Sequence, residues 1–239
     1  MGYCLYRIER RARILAVPRR QRVCGSLNMN KPEMVFPIAH IHYHDEIDGN
    51  GKVIVPEDVQ DAIRTLIRWS GDDPSREGLL DTPARVGRAW REYCAGYAED
   101  PAAHLSRTFQ EVGGYHELVL LKDIPFQSHC EHHMAPIIGK ASIAYMPTDR
   151  VVGISKLARV LHGFAQRLQV QERLTAEVAN CIWDNLKPEG VAVVIEAQHG
   201  CMTGRGVKVH GVGMVTSKLI GCFLDDQSSR KEVMSLMGY

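Results

Sequence analysis

From Pro56 onward, apolar residues recur three and four positions apart, at Val59, Ala62, Ile63, Leu66 and Ile67, until Gly71 breaks the pattern. That period marks one face of an α-helix. A second helix is predicted from Thr82-Pro83, a cap residue followed by proline at the first helical position, through Val86, Ala89, Trp90 and Tyr93 toward Gly96. The two should pack as a hairpin over about residues 56–96. Glu117–Ile124 and Ile137–Met146 read as strands, which puts the cluster His129–His133 on the connection between them. Ser155 then caps a helix with Leu157, Val160, Leu161 and Phe164 on its apolar face, and a further helix from about Gln171 to Leu186 carries Leu174, Val178 and Ile182. Val191–Ala197 is a nearly continuous apolar strand leading to His199 and Cys201; Val207–Leu224 is strand-like, and a short helix near Ser229–Met237 closes the chain. Strands joined by short turns, with one long helical excursion, predict an α+β fold: an antiparallel sheet covered by helices on one face.

The first part of the chain lacks this patterning. Residues 1–30 contain Arg7, Arg10, Arg11, Arg13, Arg19, Arg20 and Arg22 against the single acid Glu9, as in a targeting segment, a basic arm or a translated upstream stretch. His40, His42 and His44 alternate, which on a strand would align three imidazoles, but the flanking sequence supplies no packed scaffold for a metal. Glu46–Glu57 resembles a calcium loop with glutamate in place of the first aspartate, and reads more simply as a Gly-rich turn before a helix. Residues 1–50 are accordingly expected to be a dispensable extension. Residues 51–239 should form the functional domain, with the hairpin first and an α+β core over about residues 115–239.

Composition narrows the function classes. A chain of 239 residues with 45% hydrophobic and 24% charged residues is ordinary globular material. Its net charge of +1 offers no general field for nucleic acid or an acidic membrane, so an anion site must be built from a few placed cations. No apolar run approaches bilayer length and no secretory signal opens the chain, so a cytoplasmic protein is expected. Seven irregularly spaced cysteines suit a reducing compartment. Cys94, Cys181 and Cys222 fall in apolar patterns and read as core residues.

The remaining polar clusters carry chemistry. Cys130-Glu131-His132-His133 offers a thiolate and an imidazole at an offset that can reach one ion, and Cys201, at the end of a buried-type strand, offers a third donor. Three protein ligands leave one position for water, as in a catalytic zinc site, and the spare histidines could move protons. A closed structural site completed by His129 or His132 is the alternative. Ser155, Lys156 and Arg159 at a helix start form a phosphate-sized cationic group, with Arg205 four residues after Cys201; solvated helix cations would look the same. Gln171-Glu172-Arg173 could hydrogen-bond a guanine edge, a weak signal by itself.

Taken together, the strings SHCEHH, VGISKLARV, RLQVQERLT, EAQHGCMTGRGV and MVTSKLIGCF resemble the motifs of the GTP cyclohydrolase I family, in order and in register from about Pro56 to the end of the chain. The resemblance implies a zinc ion on Cys130, His133 and Cys201 whose bound water attacks C8 of GTP. It further implies proton exchange by His132, assistance at the ribose by His199, release of formate, and a rearrangement to 7,8-dihydroneopterin triphosphate, the entry to folate or biopterin synthesis. Gln171 and Glu172 would hold the guanine, Ser155 would lie near ribose and phosphates, and Lys156, Arg159, Arg205 and Arg85, the last in DTPARV, would bind the triphosphate. The family's tunnelling fold, assembled as a homodecamer of two pentamers with sites between subunits, is implied as well. Ile154 in place of the usual leucine, and His129 beside the metal ligands, are the departures. The complete Cys130, His133 and Cys201 set argues against a zinc-free nitrile reductase of the same fold. The near-neutral charge argues against a zinc-stabilised nucleic-acid module.

Overall fold

The structure, a computed structural model, describes residues 46–49, 51–110, 115 and 117–239. The arginine-rich start, His40, His42 and His44, and Asn50 of the loop before the first helix lie outside the described residues. On either side of Asn50, Ile47 and Val53 form an antiparallel bridge, and the Lys52 backbone N–H donates to Asp48 Oδ1 at 2.9 Å. Gly51 supplies the positive φ of 76°, so Asp48 closes a tight turn.

Helices α1 (Glu57–Trp69) and α2 (Thr82–Tyr93) pack as the expected hairpin. Asp81 occupies the cap position of α2, one residue before the predicted Thr82. Helix α1 buries none of its residues, and Leu66 and Trp69 stand 63% and 86% exposed. Two 3-10 turns, Ala95–Ala98 and Pro101–Leu105, return the chain to the core. There Gly96 meets Gly163 so closely that a Cβ on Gly96 would strike the Gly163 carbonyl oxygen. Arg167 Nε donates to both glycine carbonyls at 3.0 Å.

Strand β1 (Thr108–Phe109) pairs with β4 (Val151–Val152) in a two-stranded ribbon. The main sheet runs in the order β5 (Leu168–Gln169), β2 (Val119–Cys130), β3 (Pro136–Met146), β6 (Gly190–His199) and β7 (Met214–Gly221). Every neighbour pair in it is antiparallel except the short β2–β5 pair. Helices α3 (Ile154–Ala165) and α4 (Gln171–Leu186) cover one face. Strand alternation puts Ala141, Ile143 and Tyr145 of β3, with Val191, Val193 and Ile195 of β6, against Leu157, Val160, Leu161, Leu174, Val178 and Ile182. Each of the larger side chains buried there contributes about 1.5–3 kcal/mol. The intervening residues Ala144, Ala192 and Val194 face the other way. They meet Phe223 of α6 (Cys222–Asp225) and Val233 and Met237 of α7 (Gln227–Met237), so the second face is partly covered too.

The α+β class, the antiparallel sheet and the hairpin are as the sequence predicts; three further details differ. Strand β2 continues through Cys130, because His129 still pairs with Pro136. Gly153, not Ser155, is the residue before the first turn of α3, and Ser155 makes no capping hydrogen bond. The stretch 207–213 is irregular, and β7 begins only at Met214. Among the described residues no helix is long and apolar enough to cross a membrane.

Candidate metal centre and active site

The sheet register explains why residues seventy positions apart meet. Ile137, near the start of β3, pairs with Ser128 of β2 on one side and with His199 of β6 on the other. Strands β2 and β6 therefore end together, flanking β3 about 9.5 Å apart. Cys130 lies two residues past one pairing position, and Cys201 two residues past the other, in the short helix α5 (Gly200–Thr203). The turn after Cys130 folds inward. Cys130 N–H donates to Ala135 O and Met134 N–H to Cys130 O, both at 2.8 Å, with Met134 at φ 53°. Glu131 N–H donates to Gln169 O at 3.0 Å, and the Glu131 carboxylate accepts from Arg173 Nη2 at 2.6 Å, so α4 and β5 hold the turn in place.

The result is one group of donors: the ligand atoms of Cys130, His133 and Cys201 all lie within 4.8 Å of one another. A tetrahedral zinc with bonds of about 2.3 Å to sulfur and 2.0 Å to nitrogen needs donor separations of about 3.5–3.8 Å, which a small closure of this group provides. Two thiols and an imidazole are also the donor chemistry zinc prefers, so the residues fit that ion. Burial pushes the Cys201 thiol above its ordinary range; the neighbouring Cys130 sulfur adds to this, and Arg205 opposes it. Arg205 Nη1 donates to His133 Nε2 at 2.7 Å, so the guanidinium reaches the centre directly.

His132 does not join the donor group. Its Nδ1 lies 3.8 Å from Cys130 Sγ, its Nε2 is 3.8 Å from Glu131 Oε1, and its side chain is 64% exposed, open to a substrate. His129 is not in the donor group either; it packs against Trp90 and Tyr93 with ring centroids 5.2 and 4.6 Å away. Burial lowers its pKa, and among the described residues its Nδ1 has no hydrogen-bond partner.

His199 donates from Nε2 to Gln171 Oε1 at 2.8 Å. Burial holds its pKa below the usual histidine value, with the Glu172 carboxylate the opposing influence. Glu172 itself is exposed at the start of α4. The Gln171 side chain is buried, and both ends of its amide are hydrogen-bonded within the chain.

The cations divide into two sets. Arg205 belongs to the centre. Ser155, Lys156 and Arg159 do not, because they follow β4, whose Val152 N–H donates to Tyr145 OH at the opposite end of β3. Helix α3, 12 residues long, must then carry the chain back some distance, about 18 Å. Arg85 sits on α2, ion-paired with Asp81 at 2.9 Å. Gln169, whose carbonyl accepts from Glu131 N–H, and Thr216, whose Oγ1 lies 3.1 Å from Gln171 Nε2, carry no residue type that reactions demand and so give no sequence signal. Arg173 was visible only as a neighbour of Glu172.

The profile described as GTP cyclohydrolase I matches residues 59–238. The chain is 52% identical over 182 residues to a GTP cyclohydrolase 1 of Hyphomonas neptunium, covering 76% of this chain and 88% of that protein. It is 57% identical over 164 residues to one from Brucella anthropi, covering 69% and 77%. A solved structure of the archaeosine synthase QueF-Like in the apo form is similar at a TM-score of 0.37 and 18% identity, over 44% of this chain and 93% of that one.

Proposed function

Because the chain belongs to the GTP cyclohydrolase I family, we propose that it is a zinc enzyme that converts GTP and water to 7,8-dihydroneopterin triphosphate and formate. The observation that carries this reading is the convergence of Cys130, His133 and Cys201 from two strand ends onto one point. When bound there, zinc supplies the Lewis acidity that makes water nucleophilic near neutral pH.

The chain's own groups account for the rest. His132, exposed beside Cys130, exchanges a proton with the purine nitrogen as the imidazole ring opens. His199, whose pKa burial holds below the usual histidine value, handles the proton transfers at the ribose. Glu172 accepts hydrogen bonds from the guanine edge, whose N–H groups match a carboxylate. Arg205 brings fixed positive charge toward the triphosphate.

Ser155, Lys156 and Arg159, at the other end of the sheet, complete the triphosphate site of a neighbouring copy in a homodecamer of two pentamers, and Arg85 joins them by exchanging Asp81 for phosphate. The exposed apolar face of α1 and the outer edge of β7 support assembly, since both are surfaces that proteins ordinarily cover. The catalytic unit is residues 51–239, with residues 1–50 an extension the reaction does not need. A reducing compartment, the cytoplasm, suits the thiol pair.

The test is direct. Zinc-loaded protein incubated with GTP should release formate and yield a product that fluoresces as neopterin after oxidation. Absence of both from correctly assembled, zinc-replete protein would remove the assignment.

A further inference from the structure

Gln171 is the first residue of α4, and it is 1% exposed although Glu172 beside it faces solvent. Its Nε2 donates to Ile195 O at 3.0 Å and to Met214 O at 2.9 Å, and lies 3.1 Å from Thr216 Oγ1; its Oε1 faces His199 Nε2 at 2.8 Å. Ile195 pairs with Thr216 and Ala197 with Met214. The amide is thus plugged into the ladder between β6 and β7, and β6 is the strand that delivers His199.

This arrangement fixes more than position. Carbonyl oxygens only accept, so exchanging the amide's nitrogen and oxygen would set lone pair against lone pair in a buried site. Oε1 is therefore the atom presented to His199, and as an acceptor it requires the ring proton on Nε2. A neutral imidazole has one such proton, which leaves the lone pair on Nδ1.

We propose that Gln171 is a positioning residue for His199: it fixes the ring's orientation and its Nε2–H tautomer, so that Nδ1 is the atom that accepts a proton, and it makes no side-chain contact with guanine. The consequence for catalysis rests on the proposed cyclohydrolase reaction, whereas the tautomer does not.

Two measurements test it. In protein labelled with 15N-histidine, the ring signal that disappears in His199→Gln should show its proton on Nε2 at neutral pH; a proton on Nδ1 overturns the proposal. This needs neither turnover nor a folded Gln171 variant. In kinetics, Gln171→Met should lower kcat on the order of 10²-fold, with zinc content unchanged and KM for GTP held within about twofold. Gln171→Glu still offers His199 an acceptor and should recover most of kcat. A raised KM with kcat retained in Gln171→Met would return the residue to guanine binding and overturn the proposal. If the unaltered protein released no formate from GTP, the reaction would be lost while the ring signal still decided the tautomer.

Discussion

The Arg173 guanidinium lies 2.6 Å from the Glu131 carboxylate, tying the first turn of α4 to the turn that presents His132 and His133. Arg173 also donates to Gln169 Oε1 and Leu168 O, both at 3.0 Å, so one side chain spans the three segments that frame the centre.

The side chains of this pair are 44% and 34% exposed, where an ion pair adds only about 0.2–1 kcal/mol to stability. Its effect on the site should be larger, because groups that orient ligand-bearing segments typically change metal affinity or activity about 10–100-fold. Arg173→Ala is therefore expected to melt close to the parent protein and yet lose zinc or turnover by that factor. Thermal unfolding combined with zinc titration separates the two effects. Equal losses in both would make the pair a fold element only.

The two classes of site residue should separate cleanly. Cys201→Ala removes one of three donors and should lose both metal and activity. His132→Ala should keep zinc and lose turnover about 10²–10⁴-fold, as for a general acid–base group. Metal analysis of the purified variants decides; loss of zinc from His132→Ala would make that histidine a ligand.

The sequence revealed the donor group because thiols and imidazoles so closely spaced are unusual, and because Cys201 follows the strongly patterned strand β6. The helices were legible for the same reason: the apolar spacing of Val59 to Ile67 survives as α1, and that of Leu174 to Leu186 as α4. What stayed hidden depended on partners remote in sequence. Cys130 reads as a connection residue because its neighbours are polar, yet pairing of His129 with Pro136 extends β2 through it. Val207 and Val209 alternate like a strand but remain exposed, and among the described residues no strand pairs with them. Gln171 looks like surface beside Glu172, and only the β6–β7 ladder makes it a buried plug. His129, expected beside the metal, is drawn off by Trp90 and Tyr93 of a helix about forty residues earlier.

Acid should loosen α7 in a way traceable to one carboxylate. Asp226 caps that helix by accepting from Ser229 N–H at 2.7 Å, and this backbone hydrogen bond holds its pKa below the ordinary aspartate value. A depressed carboxylate stabilises the fold fully above its unfolded pKa, and the contribution is lost as pH falls through the folded one. Asp226→Asn keeps a capping oxygen but no charge. The melting temperature of the parent should exceed that of this variant near neutrality, and the two should converge as pH falls below about 4. A gap independent of pH would assign the effect to shape instead of charge.

Lys156 and Cys201 stand at opposite ends of the sheet, with α3 running between them, and this separation makes a prediction about pairs of defective chains. If both residues served one site within a single subunit, Lys156→Ala and Cys201→Ala would each disable every site, and mixing the two would restore nothing. If Lys156 serves the centre of a neighbouring copy, a mixed assembly contains sites that take Lys156 from one chain and Cys201 from the other. Random mixing in equal amounts would make about a quarter of such sites intact. Co-expression of the two variants should therefore recover activity well above either alone, on the order of that fraction, and the recovery should vanish when separately assembled oligomers are combined without subunit exchange. Failure to recover in oligomers verified as mixed would confine the triphosphate contacts to the metal-bearing subunit, and Arg205, already at His133, would then have to carry them.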